Sequence, residues 1–112
     1  MLTFDTSTPN NLLSRIKKLI DSGQIKTWAY DTDGDFTHTA TQWNNKAWLR
    51  PHVNGSNLQF TILGPTSGLS TEVYAIYHGR FLEMMLAHFF NSFTVSNCTP
   101  TPTGKDSVVT AA

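Results

Sequence analysis

The sequence is short of charge. Eight acidic and eight basic residues make up 14% of the 112, and they cancel to a net charge of zero. A nucleic-acid-binding domain usually carries a basic patch or stripe. The one cationic cluster here, Arg15, Lys17 and Lys18, is what a solvated helix face carries, so nucleic acid is not an expected partner. Cysteine is nearly absent. Cys98 stands alone, which excludes an intramolecular disulfide and any C-x-x-C zinc or redox motif. No apolar run approaches the roughly 18 residues that a membrane-spanning helix needs. The opening stretch MLTFDTS has neither a basic n-region nor an apolar h-region, so no secretory signal is read there. The expectation is a soluble, cytoplasmic protein with no membrane or nucleic-acid partner. Asn54-Gly55-Ser56 and Asn97-Cys98-Thr99 match the glycosylation pattern, but without a secretion signal they are taken as coincidence. Catalytic signatures are missing too: there is no G-x-S-x-G elbow, H-E-x-x-H, P-loop or dinucleotide fingerprint. No cofactor is expected, and no enzymatic activity is assigned.

What is present suits one domain with a single core that needs no disulfide or metal staple. A first helix is well signalled. Thr8 can cap it, Pro9 suits its first position and Gly23 its exit. Leu12, Leu13, Ile16, Leu19 and Ile20 recur at helical spacing and form one apolar stripe.

The stretch IKTWAYDTDGDFTHTATQ alternates, as two strands around a turn do. A two-residue loop at Asp33-Gly34 would scatter the aromatics over both faces. A three-residue loop, Thr32 to Gly34, pairs Tyr30 with Phe36 and Trp28 with His38 and gathers them on one face. Because a one-residue slip flips every side chain, this pattern selects the register, and Gly34 falls where such a loop wants a left-handed residue. Further turns are expected at Asn44-Asn45 and Asn54-Gly55. They pair Ala40 with Leu49, and Leu49 with Phe60. The three turns together predict one apolar face: Trp28, Tyr30, Phe36, His38, Ala40, Leu49, Val53, Leu58, Phe60 and Ile62. Pro51 lacks a ladder donor, so a bulge is expected there.

The phase of the hydrophobic pattern in TEVYAIYHGRFLEMMLAHFFNSF breaks near Gly79. Val, Ile and Tyr favour strands, so residues 72–77 are expected to form a fifth strand and residues 80–91 a helix. One continuous helix is the alternative. The resulting fold class is α+β: a two-layer sandwich, α-β-β-β-β-β-α, with a five-stranded antiparallel meander and both helices on one face. Residues 1–93 form the domain. Residues 94–112 form a Thr/Pro-rich tail that packs on the body or on a partner.

Several residues could carry chemistry. Asp31, Asp33 and Asp35 surround Gly34 and are candidate metal ligands. The spacing is not that of an EF-hand, whose sixth position should be glycine and is Phe36 here. The turn reading therefore comes first, with Asp31 and Asp35 opposed on the polar face. His78-Gly79-Arg80 at a strand-to-helix junction could hold an anion on free amides and the Arg80 guanidinium. His38 and His52 complete the candidate ligand-binding set. His38 is either a core histidine or a general base at a pocket mouth. Trp48, Arg50, Thr39 and Thr41 lie on the neutral face opposite the core, and an exposed Trp beside Arg suits an interface. The leading expectation is a non-catalytic interaction module that self-associates. The alternative is a small-ligand or anion-binding protein, which could be an enzyme, with a pocket between sheet and helices or at the His78-Gly79-Arg80 edge.

Overall fold

The computed structural model describes residues 1–106. The elements run β1 (Leu2–Asp5), α1 (Pro9–Asp21), β2 (Trp28–Tyr30), β3 (Phe36–His38), β4 (Trp48–Asn54), β5 (Asn57–Leu63), α2 (Thr71–Phe89) and β6 (Ser96–Cys98). The six strands form one antiparallel sheet in the order β2-β3-β4-β5-β1-β6. Both helices cover the same sheet face, giving an α+β fold of two layers. Phe81 of α2 packs its ring against Phe4, Phe36 and Phe60 of the sheet. Leu12 and Ile16 of α1 are buried in the same core. Arg15 of α1 lies over the Phe89 ring of α2, 5.4 Å from its centroid, so the helices are neighbours.

α1 starts at Pro9 as the sequence requires, although Thr8 precedes it without a side-chain capping bond. Gly23 takes φ 82° just past its end, a left-handed conformation in which a side chain is strained. Its N–H donates to the Ile20 carbonyl, which closes the helix.

The first hairpin has the expected register, with Trp28 opposite His38 and Tyr30 opposite Phe36. Gly34 carries φ 84°. The next two registers differ from expectation by even numbers of residues. In the β4–β5 hairpin the loop is Gly55-Ser56, so Val53 faces Leu58, Pro51 faces Phe60 and Leu49 faces Ile62. Gly55 thereby takes the first central position with φ 59°, where only glycine is at ease. Between β3 and β4 the only pair is Phe36 with Leu49. The connection is a wider turn in which the Trp43 and Asn44 amides both donate to the Ala40 carbonyl. Even slips keep each side chain on its face, so the apolar face survives both corrections except at its rim: Ala40 is exposed and Val53 is 42% exposed. The bulge expected at Pro51 does not occur; the β4–β5 ladder runs unbroken from Trp48 to Asn54. Because β3 reaches only Leu49, β4 is an edge at Pro51, where a missing N–H leaves no partner unsatisfied.

Residues 72–77 are helical, not a fifth strand. Ser70 caps α2, its hydroxyl accepting the Val73 N–H at 3.1 Å, and Glu72 sits in the first turn. The buried residues Tyr74, Tyr77, His78, Phe81, Met84, Met85 and Phe89 trace one continuous arc of the helix. The remaining strands come from the chain ends. β1 alternates Leu2 and Phe4 into the core between β5 and β6, and β6 comes from the Thr/Pro-rich segment. Asp106 also lies on the body: its carboxylate accepts the Ile62 N–H at 2.9 Å and the Thr103 N–H at 2.6 Å. The rest of the expected tail, residues 107–112, lies outside the described residues.

The core is an aromatic cluster centred on Phe81. Its centroid lies 4.6 Å from Phe60, 5.0 Å from Trp28 and 5.8 Å from Phe36. Full burial of such a ring stabilises the fold by roughly 2–3 kcal/mol. Tyr77 anchors the β3–β4 turn to α2. Its hydroxyl donates to the Trp43 carbonyl and meets the Thr37 hydroxyl at 3.0 Å.

Candidate functional site

Where α2 passes the Trp28–His38 end of the first hairpin, the packing leaves a cleft of about 250 Å³. Trp28 and Met84 contribute apolar surface, and His38, Arg80, Glu83 and His88 contribute polar groups. The helix supplies its share by periodicity. Positions 80, 83, 84 and 88 are three and four apart and so occupy one flank. The hairpin register supplies the rest: Trp28 and His38 are paired across β2 and β3, their rings edge-on with centroids 5.1 Å apart.

The tautomer of His38 follows from its surroundings. The Ala40 N–H donates to Nδ1 at 3.1 Å. A backbone amide can only donate, so Nδ1 is unprotonated and the neutral ring carries its hydrogen on Nε2. Burial, and then the Arg80 charge, lower the pKa of this ring. A second proton would also cost the bond from Ala40. His38 is therefore a neutral N–H donor, an arrangement that does not suit a general base. Arg80 is exposed, and among the described residues it forms no ion pair with Glu83 or any other carboxylate.

The expected helix-start anion site is absent. α2 begins at Thr71, so residues 78–80 lie well inside it, where amides are bonded within the helix. The three side chains diverge. His78 is 3% exposed, donates from Nδ1 to the Tyr74 carbonyl at 2.8 Å and stacks on the Tyr74 ring. Burial lowers its pKa to about 4, against an opposing effect of the Tyr74 bond. Its Nε2 is buried with no partner among the described residues. Gly79 faces outward, with nothing within 4 Å of where a Cβ would stand. His52 lies on the sheet's other face, bonded to the Thr61 hydroxyl at 3.0 Å. Of the expected ligand-binding set, only His38 and Arg80 converge. Glu83 and His88 join them without having been singled out; their signal was helical spacing from Arg80, three residues to Glu83 and two steps of four to His88, already contained in the expected helix 80–91.

The aspartate turn is internally satisfied. The three carboxylates offer oxygens within 4.8 Å of one another. Asp31 Oδ1, however, accepts the Asp33 and Asp35 amides, both at 3.0 Å. Arg50 donates to both Asp35 oxygens, from Nε at 2.9 Å and a terminal nitrogen at 2.8 Å. Arg50 thus supplies the cation that opposed Asp31 and Asp35 call for, and a metal ion there would have to displace it.

The interface set is also dispersed. Trp48 is half-buried rather than exposed, and Arg50 belongs to the aspartate turn. β3 ends at His38, so Thr39 and Thr41 are exposed beyond the strand; the Thr39 hydroxyl donates to the Lys26 carbonyl at 2.8 Å.

Two other clefts are of comparable or larger size. One, of about 280 Å³, holds Arg15 beside Asp5 and Ser92, but Arg15 already donates to the Ser92 hydroxyl at 2.8 Å. The other, of about 490 Å³, lies by His52 and Lys105, where His52 is engaged by Thr61. Comparison with protein-family models, with curated proteins and with solved structures finds no match for the chain.

Proposed function

We propose that the protein binds a small oxyanion-bearing molecule in the cleft between α2 and the β2–β3 hairpin. The observation that carries this reading is the convergence on one cleft of two donors without acceptors among the described residues, Arg80 and the Nε2–H of His38. A guanidinium grips a carboxylate or phosphate bidentately, and a neutral imidazole N–H adds a third bond. Glu83 on the same rim repels a bare anion but accepts from a donor group. The ligand class is therefore a compact molecule with an acidic group and an adjacent amino or hydroxyl group. The volume, about 250 Å³, lies just below the roughly 300 Å³ at which drug-sized pockets begin, so the ligand is metabolite-sized. Binding rather than catalysis is assigned, because His38 offers no free lone pair in the cleft and, among the described residues that line it, no hydroxyl or thiol is bonded to a base.

Calorimetry with a panel of small carboxylates and phosphates, with and without such donor groups, tests the reading. At least one class should bind the wild type, more weakly when its donor group is removed. A panel with no binder at millimolar concentration would sink the proposal.

A further inference from the structure

With histidines neutral, the charges lining the cleft cancel: Arg80 stands against Glu83. The two are three apart on α2 and so are neighbours on the helix surface. Neither forms an ion pair with the other, or with any other group among the described residues. His38 adds no charge, because the bond from the Ala40 N–H requires a neutral ring. A ligand of net negative charge would set its excess beside Glu83, and one of net positive charge would set it beside Arg80. A zwitterion brings neither excess. The rest of the wall is largely apolar. Met84 and Trp28 form a buried floor, 4% and 2% exposed, and Ala87 lies one turn beyond Glu83. From Arg80 to His88 the flank runs about 12 Å along the helix axis, which leaves room for a side chain beyond the charged pair.

We propose that the cleft takes a free α-amino acid with a compact apolar side chain, bound as its zwitterion. The carboxylate lies on the Arg80 guanidinium and the Nε2–H of His38. The ammonium donates to the Glu83 carboxylate, and the side chain lies along Met84 and Ala87 towards His88. An α-amino acid carries both charged groups on one carbon, which suits opposite charges one helical turn apart. A hydroxy acid keeps the hydrogen bond to Glu83 but brings a net negative charge that Glu83 repels. An amine without the carboxylate leaves Arg80 and His38 with no acceptor. A residue within or at either end of a peptide lacks at least one of the two charged groups. This assignment rests on the cleft being an oxyanion site and narrows its ligand to one class.

Calorimetry of the full chain with L-alanine, L-valine and L-methionine tests it, each set beside its α-hydroxy acid, its deamino acid and its decarboxylated amine. The best-bound amino acid should exceed its hydroxy and deamino counterparts roughly 10-fold in affinity, and its amine should bind least. Glu83 is exposed and outside any ion pair among the described residues, so Glu83→Gln should fold as the wild type does. That variant should lose the preference, binding the amino acid roughly 10-fold more weakly and the hydroxy acid more tightly. A wild type that binds a hydroxy or deamino acid as tightly as the amino acid overturns the proposal and leaves the oxyanion reading intact. So does an amino-acid preference that Glu83→Gln does not alter. If none of these carboxylates binds at millimolar concentration the proposal also falls, and inorganic phosphate then decides the reading beneath it. Phosphate binding that Arg80→Met abolishes keeps the oxyanion site; no phosphate binding removes both.

Discussion

The aspartate turn and the Arg80 cleft both gather groups able to do chemistry, but they use them differently. In the turn, the Asp31 carboxylate holds two backbone amides and Asp35 holds Arg50. In the cleft, Arg80 and His38 keep donors with no acceptor among the described residues. The turn is contiguous in sequence, so its polar groups lie close enough to satisfy one another. The cleft is assembled from residues about forty positions apart, and packing brings them together without pairing them. A cluster evident as a motif is therefore the weaker functional candidate here, because local proximity is what lets a loop stabilise itself.

The largest stability effect concerns a third group, His78, which lies on the buried face of α2 two residues from Arg80. Unfolded, it takes up a proton near pH 6.5; folded, it resists until about pH 4. Acid therefore favours the unfolded chain. The stability is complete above pH 6.5 and falls as pH drops through that window, by on the order of 3 kcal/mol in all. Denaturant midpoints measured from pH 7 to pH 4 should fall steeply for the wild type and less for His78→Phe. Equal slopes would show that His78 does not carry the acid sensitivity. The variant also sharpens the comparison, since it lets anion affinity in the cleft be titrated against pH without the fold's own response.

Arg50→Met comes next. It leaves the nearly buried Asp35 carboxylate without its partner, at a cost of about 1–3 kcal/mol. The same change frees three clustered carboxylates, so calcium should raise the melting temperature of the variant and leave the wild type unmoved. Anion binding in the cleft should be unaffected. A wild type stabilised by calcium as strongly as the variant would contradict the view that Arg50 occupies this turn.

What could be read in the sequence follows the same division between local and distant. The first hairpin was legible to the residue, because alternation around Gly34 permits one register that gathers Trp28, Tyr30, Phe36 and His38. The faces of β4 and β5 were legible although their loops were not, because parity, not loop position, decides burial. α1 was marked by Pro9, Gly23 and a single stripe. α2 was misread at its start. Its second face is also apolar, so no single phase stands out, and Val73, Ile76 and Tyr77 each favour strands. The deciding signal was the Ser70 cap with Glu72 behind it. β1 has four residues and β6 three, too few for periodicity, and both exist through distant pairing. The cleft inherited these gaps: with α2 broken at Gly79, Arg80 drew notice as a helix-start group, and its flank with Glu83 and His88 was passed over although the expected helix 80–91 contained all three.

Arg80→Met should have the smallest effect on stability and the most selective effect on function. The side chain is exposed and unpaired among the described residues, so the melting curve should shift by less than about 0.5 kcal/mol equivalent. Loss of a charge-assisted bond is worth about 1.5–3 kcal/mol, which lowers oxyanion affinity roughly 10- to 150-fold. Calorimetry and thermal melts on one preparation separate the two. If Arg80→Met destabilised the fold as much as Arg50→Met, Arg80 would be a structural cation like its counterpart, and the contrast between turn and cleft would fail. If the fold held and affinity did not change, the oxyanion would lie elsewhere. Retained stability with lost binding is the outcome expected of a residue the fold positions without using.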